Sequence, residues 1–162
     1  MSIPTDTGDE LAAVADLFGA VTRAELERAL AELAFKQGSE TDDGAVSAAI
    51  DAAIENYYLV AVDGAEREEA LLAAGPVAFP TLPDGAEDLP HILDIPDRDP
   101  DRTALVAAAE RRLRADAARA VDAEDADRIA QLLDVSYDLE TWGGTDVSDV
   151  RRRLDDAREN HN

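Results

Sequence analysis

The chain has 162 residues and a formal net charge of −22, from 37 acidic and 15 basic side chains; 46% is hydrophobic, much of it alanine, and only 4% is aromatic. That apolar share calls for a folded core instead of a disordered acidic polymer, though a lean one, and the absence of cysteine excludes a disulfide scaffold, a thiolate metal site and a cysteine nucleophile. No apolar run approaches the roughly 20 residues needed to cross a bilayer, and Met1 to Asp6 has neither the basic nor the apolar region of a secretory signal, so a cytoplasmic protein with no membrane partner is expected.

The first helix is signalled by Thr7-Gly8-Asp9-Glu10, where Thr7 offers a cap and Glu10 can reach back, ahead of a stripe of Leu11, Val14, Ala15 and Phe18. Gly19 marks its end. Thr22-Arg23-Ala24-Glu25 has capping-box spacing before Leu26, Leu30, Leu33 and Ala34, and Gly38 stops this second helix. A third begins near Thr41-Asp42-Asp43, turning Val46, Ile50, Ala53, Ile54 and Tyr57 inward and Ser47, Ala48, Asp51 and Glu55 outward.

At Tyr58-Leu59-Val60-Ala61-Val62 the pattern becomes a short run of strand formers closed by the turn dipeptide Asp63-Gly64. A return strand is expected within Leu71 to Phe79. Three helices followed by a hairpin resemble a winged-helix domain, here over residues 9–80, with residues 43–57 in the place of the recognition helix and 63–69 in that of the wing. Residues 81–100 read as a Pro-rich connector, since five of the seven prolines lie from Pro80 to Pro100, and Leu89, Ile92, Leu93 and Ile95 can pack it against a neighbour.

Residues 101–160 return to helical patterning. Asp99-Pro100-Asp101 reads as a cap followed by proline at the first helical position, ahead of Leu105, Val106, Ala109, Leu113, Ala117 and Ala120. Another helix runs from about Asp125 with Ile129, Ala130 and Leu133 inward; Trp142-Gly143-Gly144-Thr145 reads as stop, turn and cap before the last stripe, Val147, Val150, Leu154 and Ala157. The expected fold is mainly α with a small β-hairpin: a winged-helix-like unit, a connector and a helical unit.

Only Lys36 is lysine against 14 arginines, and Asp outnumbers Glu 23 to 14. Dense carboxylate with almost no lysine resembles the proteins of salt-in halophiles, whose self-repulsion is screened once the Debye length falls to about 3 Å near 1 M salt. The stretches Leu17-Phe18-Gly19-Ala20-Val21-Thr22, Leu30-Ala31-Glu32-Leu33-Ala34-Phe35-Lys36 and Phe79-Pro80-Thr81-Leu82-Pro83 also resemble an uncharacterised family of haloarchaeal proteins, a resemblance that implies no activity.

Chemistry-bearing motifs are sparse. Asp97-x-Asp99-x-Asp101, beside Asp94 and His91, opens like a calcium loop, but the required glycine falls on Arg102, the closing glutamate on Ala108, and Pro100 interrupts it; solvated carboxylates and a helix cap are the better reading. His91 and His161 are the only histidines, so no His-based triad or multi-histidine metal site can be assembled, and no glycine pattern fits a phosphate loop. No catalytic residue, cofactor or metal is expected.

A recognition helix at 43–57 would need cations for phosphates, yet the 30 residues from Gln37 to Glu66 hold none and seven acids. DNA recognition through it is disfavoured. Eleven of the 15 basic residues lie from Arg98 to Arg158, and Arg111, Arg112, Arg151 and Arg152 are the expected contacts for any acidic or nucleic-acid partner. Against this stands pairing within helices, Glu110 with Arg114, Asp116 with Arg119 and Asp149 with Arg153. The expected function is a non-enzymatic, salt-adapted interaction module that binds another protein; a DNA-binding winged-helix regulator is the alternative.

Overall fold

Local capping chemistry and apolar stripes give seven α-helices and one hairpin among the described residues: α1 (Thr5–Leu17), α2 (Arg23–Lys36), α3 (Asp43–Glu55), β1 (Leu59–Asp63), β2 (Ala70–Ala74), a 3₁₀ turn (Ala86–Asp88), α4 (Leu89–Ile92), α5 (Arg102–Asp122), α6 (Ala126–Gly143) and α7 (Ser148–Glu159). The computed structural model describes residues 5–36, 38, 42–63, 69–79, 82–83 and 85–159. Most of the expected wing, together with Thr41, Pro80 and His161, lies outside them. Two compact units divide between Leu105 and Val106, inside the first turn of α5, so residues 81–100 belong with the first unit.

In the first unit the capping box at α2 forms as its spacing predicts: Thr22 N–H donates to Glu25 Oε1 at 2.9 Å and Glu25 N–H to Thr22 Oγ1 at 3.1 Å. Asp42 caps α3 by accepting from Gly44 N–H at 3.0 Å. The α1 signal is misplaced, because the helix already runs from Thr5 and Thr7 lies within its first turn. Leu11, Val14, Phe18, Leu26, Ile50 and Leu59 are buried in one core, each large aliphatic side chain stabilising the fold by about 1.5–3 kcal/mol.

The hairpin pairs Leu59 with Ala74, Val60 with Ala73 and Ala61 with Leu72. The return strand is shorter than expected and stops at Ala74. Gly75 N–H instead donates to Tyr58 O at 2.8 Å and Val77 N–H to Tyr57 O at 3.3 Å, while Pro76 has no N–H to extend a ladder. Val21, between α1 and α2, forms an isolated antiparallel bridge to Leu72, with N···O distances of 2.9 and 2.6 Å.

The proline-rich stretch is tied down. Leu89 and Ile95 are buried in the first unit's core and Leu93 packs against it, but Ile92 is exposed, a correction to the expected packing. Arg98 N–H donates to Phe18 O at 2.7 Å, and its guanidinium forks onto Glu25 at 2.6 and 3.1 Å and reaches Ala20 O at 3.0 Å. Gly19 is the pivot. Its φ of +84° suits glycine, and a Cβ there would lie 1.7 Å from Arg98 O. Gly19→Ala is therefore expected to destabilise the first unit by more than about 2 kcal/mol, adding backbone displacement to the left-handed penalty; urea unfolding followed by circular dichroism measures it.

In the second unit Leu113, Ala117, Ile129, Leu132, Leu139 and Leu154 are buried. Asp125 caps α6 through Arg128 N–H at 3.1 Å, and Gly144, at φ +63°, closes it with N–H to Glu140 O at 2.9 Å. Three local readings need correction. The cap of α5 is Asp101, not Asp99, since its Oδ1 accepts from Thr103 N–H at 3.0 Å. At α7 the capping side chain comes from Asp146, not Thr145: it accepts from Ser148 N–H at 2.9 Å, one residue ahead of Val147, whose carbonyl accepts the first helical bond from Arg151. Ala130 faces solvent, because Ile129, Leu132 and Leu133 already complete the inward stripe.

Candidate interaction surfaces

The four arginines singled out by composition fall into two classes. Arg112 Nε donates to Asp116 at 3.4 Å. Arg151 pairs with Glu140, donates from Nε to Ser136 Oγ at 3.2 Å and lies 4.1 Å from the centre of the Tyr137 ring. Both therefore serve the second unit's internal structure. Arg111 and Arg152 stand exposed on α5 and α7, with neither in an ion pair among the described residues.

Glu110 pairs with Arg114 at 3.1 Å, and Asp116 pairs with Arg119, as helical spacing predicts. Asp149 is different: its partner is Arg114, at 2.7 and 3.3 Å across α5 and α7, and not Arg153. The Arg114 guanidinium is held between two carboxylates, Glu110 on its own helix and Asp149 on α7. Its hydrogen bonds hold the Asp149 carboxyl below the usual carboxylate range.

Sequence patterning gave Asp116 one partner on its own helix, Arg119, but its side chain is only 6% exposed and collects Arg112, Arg119 and Arg128, the last at 3.2 Å. Arg128 arrives from α6 and also donates to Gln131 Oε1 at 2.7 Å. Arg112 and Arg119 pair with the Asp116 carboxylate inside α5, and of the three Arg128 alone ties it to α6. Asp116→Asn is expected to cost about 1–3 kcal/mol, the range for an interaction whose cations keep part of their solvation, read as a lower urea midpoint for the second unit.

No three His, Asp or Glu side chains converge as a metal site among the described residues. Asp94, Asp97, Asp99 and Asp101 are exposed, as is His91, and Asp101 is engaged as a cap. The outer face of α3 carries exposed Ala48, Asp51 and Glu55, with Asp51 paired to Arg23 from α2. α3 has no basic residue with which to neutralise phosphate.

A different surface follows from how α1, α2 and α3 pack. Leu11 and Val14 from α1, Leu30 and Leu33 from α2, and Val46 and Ala49 from α3 line an open groove of about 300 Å³, bounded by Pro83. Its ionisable lining side chains, Glu10 and Asp42, are both acidic and both exposed. A second hollow, of about 480 Å³, lies beside the hairpin and mixes Arg23, Glu27 and Glu69 with Ile54, Ala61 and Leu72. The first is the more apolar of the two in its lining. Sequence periodicity assigned Leu30 and Val46 to the core, yet both are only half-buried; a stripe does not reveal which of its members lacks a facing neighbour.

Among known proteins, the model of a family of unknown function, DUF7109, matches residues 9–159. No curated protein and no solved structure matches the chain.

Proposed function

We propose that this chain, which belongs to DUF7109, a family of unknown function, is a non-catalytic interaction module that engages another protein through its first unit. The observation that carries this reading is the groove between α1, α2 and α3, where Leu30 and Val46 remain half-buried beside an apolar floor. An apolar concavity is a surface whose burial another polypeptide can complete. The winged-helix comparison is supported by the element order and by the Val21–Leu72 bridge, which gives the hairpin a third neighbour from between α1 and α2. The salt-adapted, haloarchaeal and cytoplasmic parts of the reading rest on composition, a single lysine among 15 basic residues and no cysteine.

A DNA-binding regulator is the alternative, and the exposed guanidiniums of Arg111 and Arg152 favour it. Photo-crosslinking separates the two. A benzophenone side chain at Ala45, exposed on the groove, is expected to capture a defined polypeptide whose purified form binds the chain and loses binding to Val46→Asp. Labelled duplex DNA in about 0.1–2 M KCl, a range over which screening changes strongly, should not compete. Crosslinking to nucleic acid, or binding of the duplex that disappears with Arg111→Gln/Arg152→Gln, overturns the protein-binding reading.

A further inference from the structure

We propose that the groove of the first unit takes an amphipathic helix whose apolar side chains enter between α1, α2 and α3 and whose flanks carry lysine or arginine. This deepens the interaction-module reading and rests on it. The wall chemistry sets the form of the occupant. The groove is lined by side chains from three helices and a proline, and helices spend their backbone donors and acceptors internally, so it offers no ladder to an extended peptide. A helix arrives with its own backbone groups satisfied and presents anchors at i, i+3, i+4 and i+7.

Charge sets the flanks. Residues 1–105 contain 23 acidic and 6 basic side chains, a net −17, whereas residues 106–162 contain 14 and 9, a net −5. The first unit's few cations are already committed in part: Arg23 to Asp51, Lys36 to Asp88 and Arg98 to Glu25. At the groove itself Glu10 and Asp42 are exposed, and no cation lines it among the described residues. A basic flank therefore gains complementary contacts there, and an acidic one meets repulsion. A second copy of this chain is a poor occupant for the same reason, since its own first unit carries −17.

The test uses the full chain and three labelled 18-residue helical peptides that share one leucine face and differ in having arginine, glutamine or glutamate on the flanks. Fluorescence anisotropy in about 0.5 M KCl should give binding of the arginine peptide at least about tenfold tighter than the glutamate peptide, with the gap narrowing in 2 M KCl as screening deepens. Ala45→Trp, at an exposed position that leaves the core untouched, should weaken all three by obstructing the groove, and Ala130→Trp on α6 should not. Equal binding of the three peptides, lost in Ala45→Trp, overturns the basic class while leaving the interaction module standing. No binding by any peptide, or binding indifferent to Ala45→Trp, overturns the groove as well. A sedimenting dimer that Ala45→Trp converts to monomer would assign the groove to a second copy instead.

Discussion

Replacing Arg98 by alanine is expected to destabilise the first unit by about 1.5–3 kcal/mol, the range for losing hydrogen bonds to a charged group, here in a part-buried pair. The Arg98 and Glu25 side chains are 12% and 15% exposed, so the abandoned carboxylate is poorly hydrated. Its other bonds, to the Thr22 amide, tie the same carboxylate to the start of α2. The lost guanidinium also releases Ala20 O and loosens the residues that fix Gly19. The midpoint of urea unfolding should fall accordingly, while a change of less than about 1 kcal/mol would mean that the pair behaves as an exposed one.

The same pair predicts a pH dependence. Burial pushes the Glu25 carboxyl up, but the Arg98 fork, the Thr22 amide and the Arg98 charge together outweigh it and hold the group below its ordinary range. A carboxyl depressed by folding contributes stability that is present above its unfolded value and is lost as pH falls through the folded one. The difference in melting temperature between the native chain and Glu25→Gln should therefore shrink from pH 6 to pH 3. A difference that is constant or grows with acidity contradicts the assignment.

Salt is expected to have the second large effect. At a net −17 on the first unit, self-repulsion opposes compaction until ions screen it. The thermal midpoint should rise by about 10 °C or more between about 0.1 and 2 M KCl, corresponding to roughly 2 kcal/mol in a domain of this size. Most of the rise should come below about 0.5 M, where screening changes fastest, whereas salting-out of apolar surface continues to grow with concentration. Equal midpoints, or a strictly linear rise, would remove the electrostatic basis for salt adaptation.

The sequence was most informative where one residue type solves one local problem. Thr22 with Glu25, Asp42, Asp125 and Gly144 all fall at the helix ends their chemistry serves. It was least informative where a partner arrives from elsewhere in the chain. Tyr57 ends α3 in a left-handed conformation, φ 68°, while 1% exposed; no glycine announces it, and the packing of the hairpin overrides the local penalty. Asp116 reads as one half of a pair with Arg119, because its further partner Arg128 arrives from the next helix, twelve residues on. Asp101 and Asp146 outcompete equally plausible neighbouring caps by a geometry that composition does not encode. The groove was invisible for a related reason: the stripes of α1, α2 and α3 predict that Leu30 and Val46 turn inward, but not that the three faces leave a gap.

That groove is the surface on which the functional account stands, and leucine and valine methyl groups report on it directly. A methyl-labelled full chain titrated with the arginine-flanked helical peptide in about 0.5 M KCl, where long-range attraction is already screened, should show shifts at Leu11, Val14, Leu30, Leu33 and Val46. The methyls of Leu132, Leu139 and Leu154, buried in the second unit, should stay in place. Shifts confined to the second unit, near Arg111 or Arg152, or a titration that moves no groove methyl, would contradict the account.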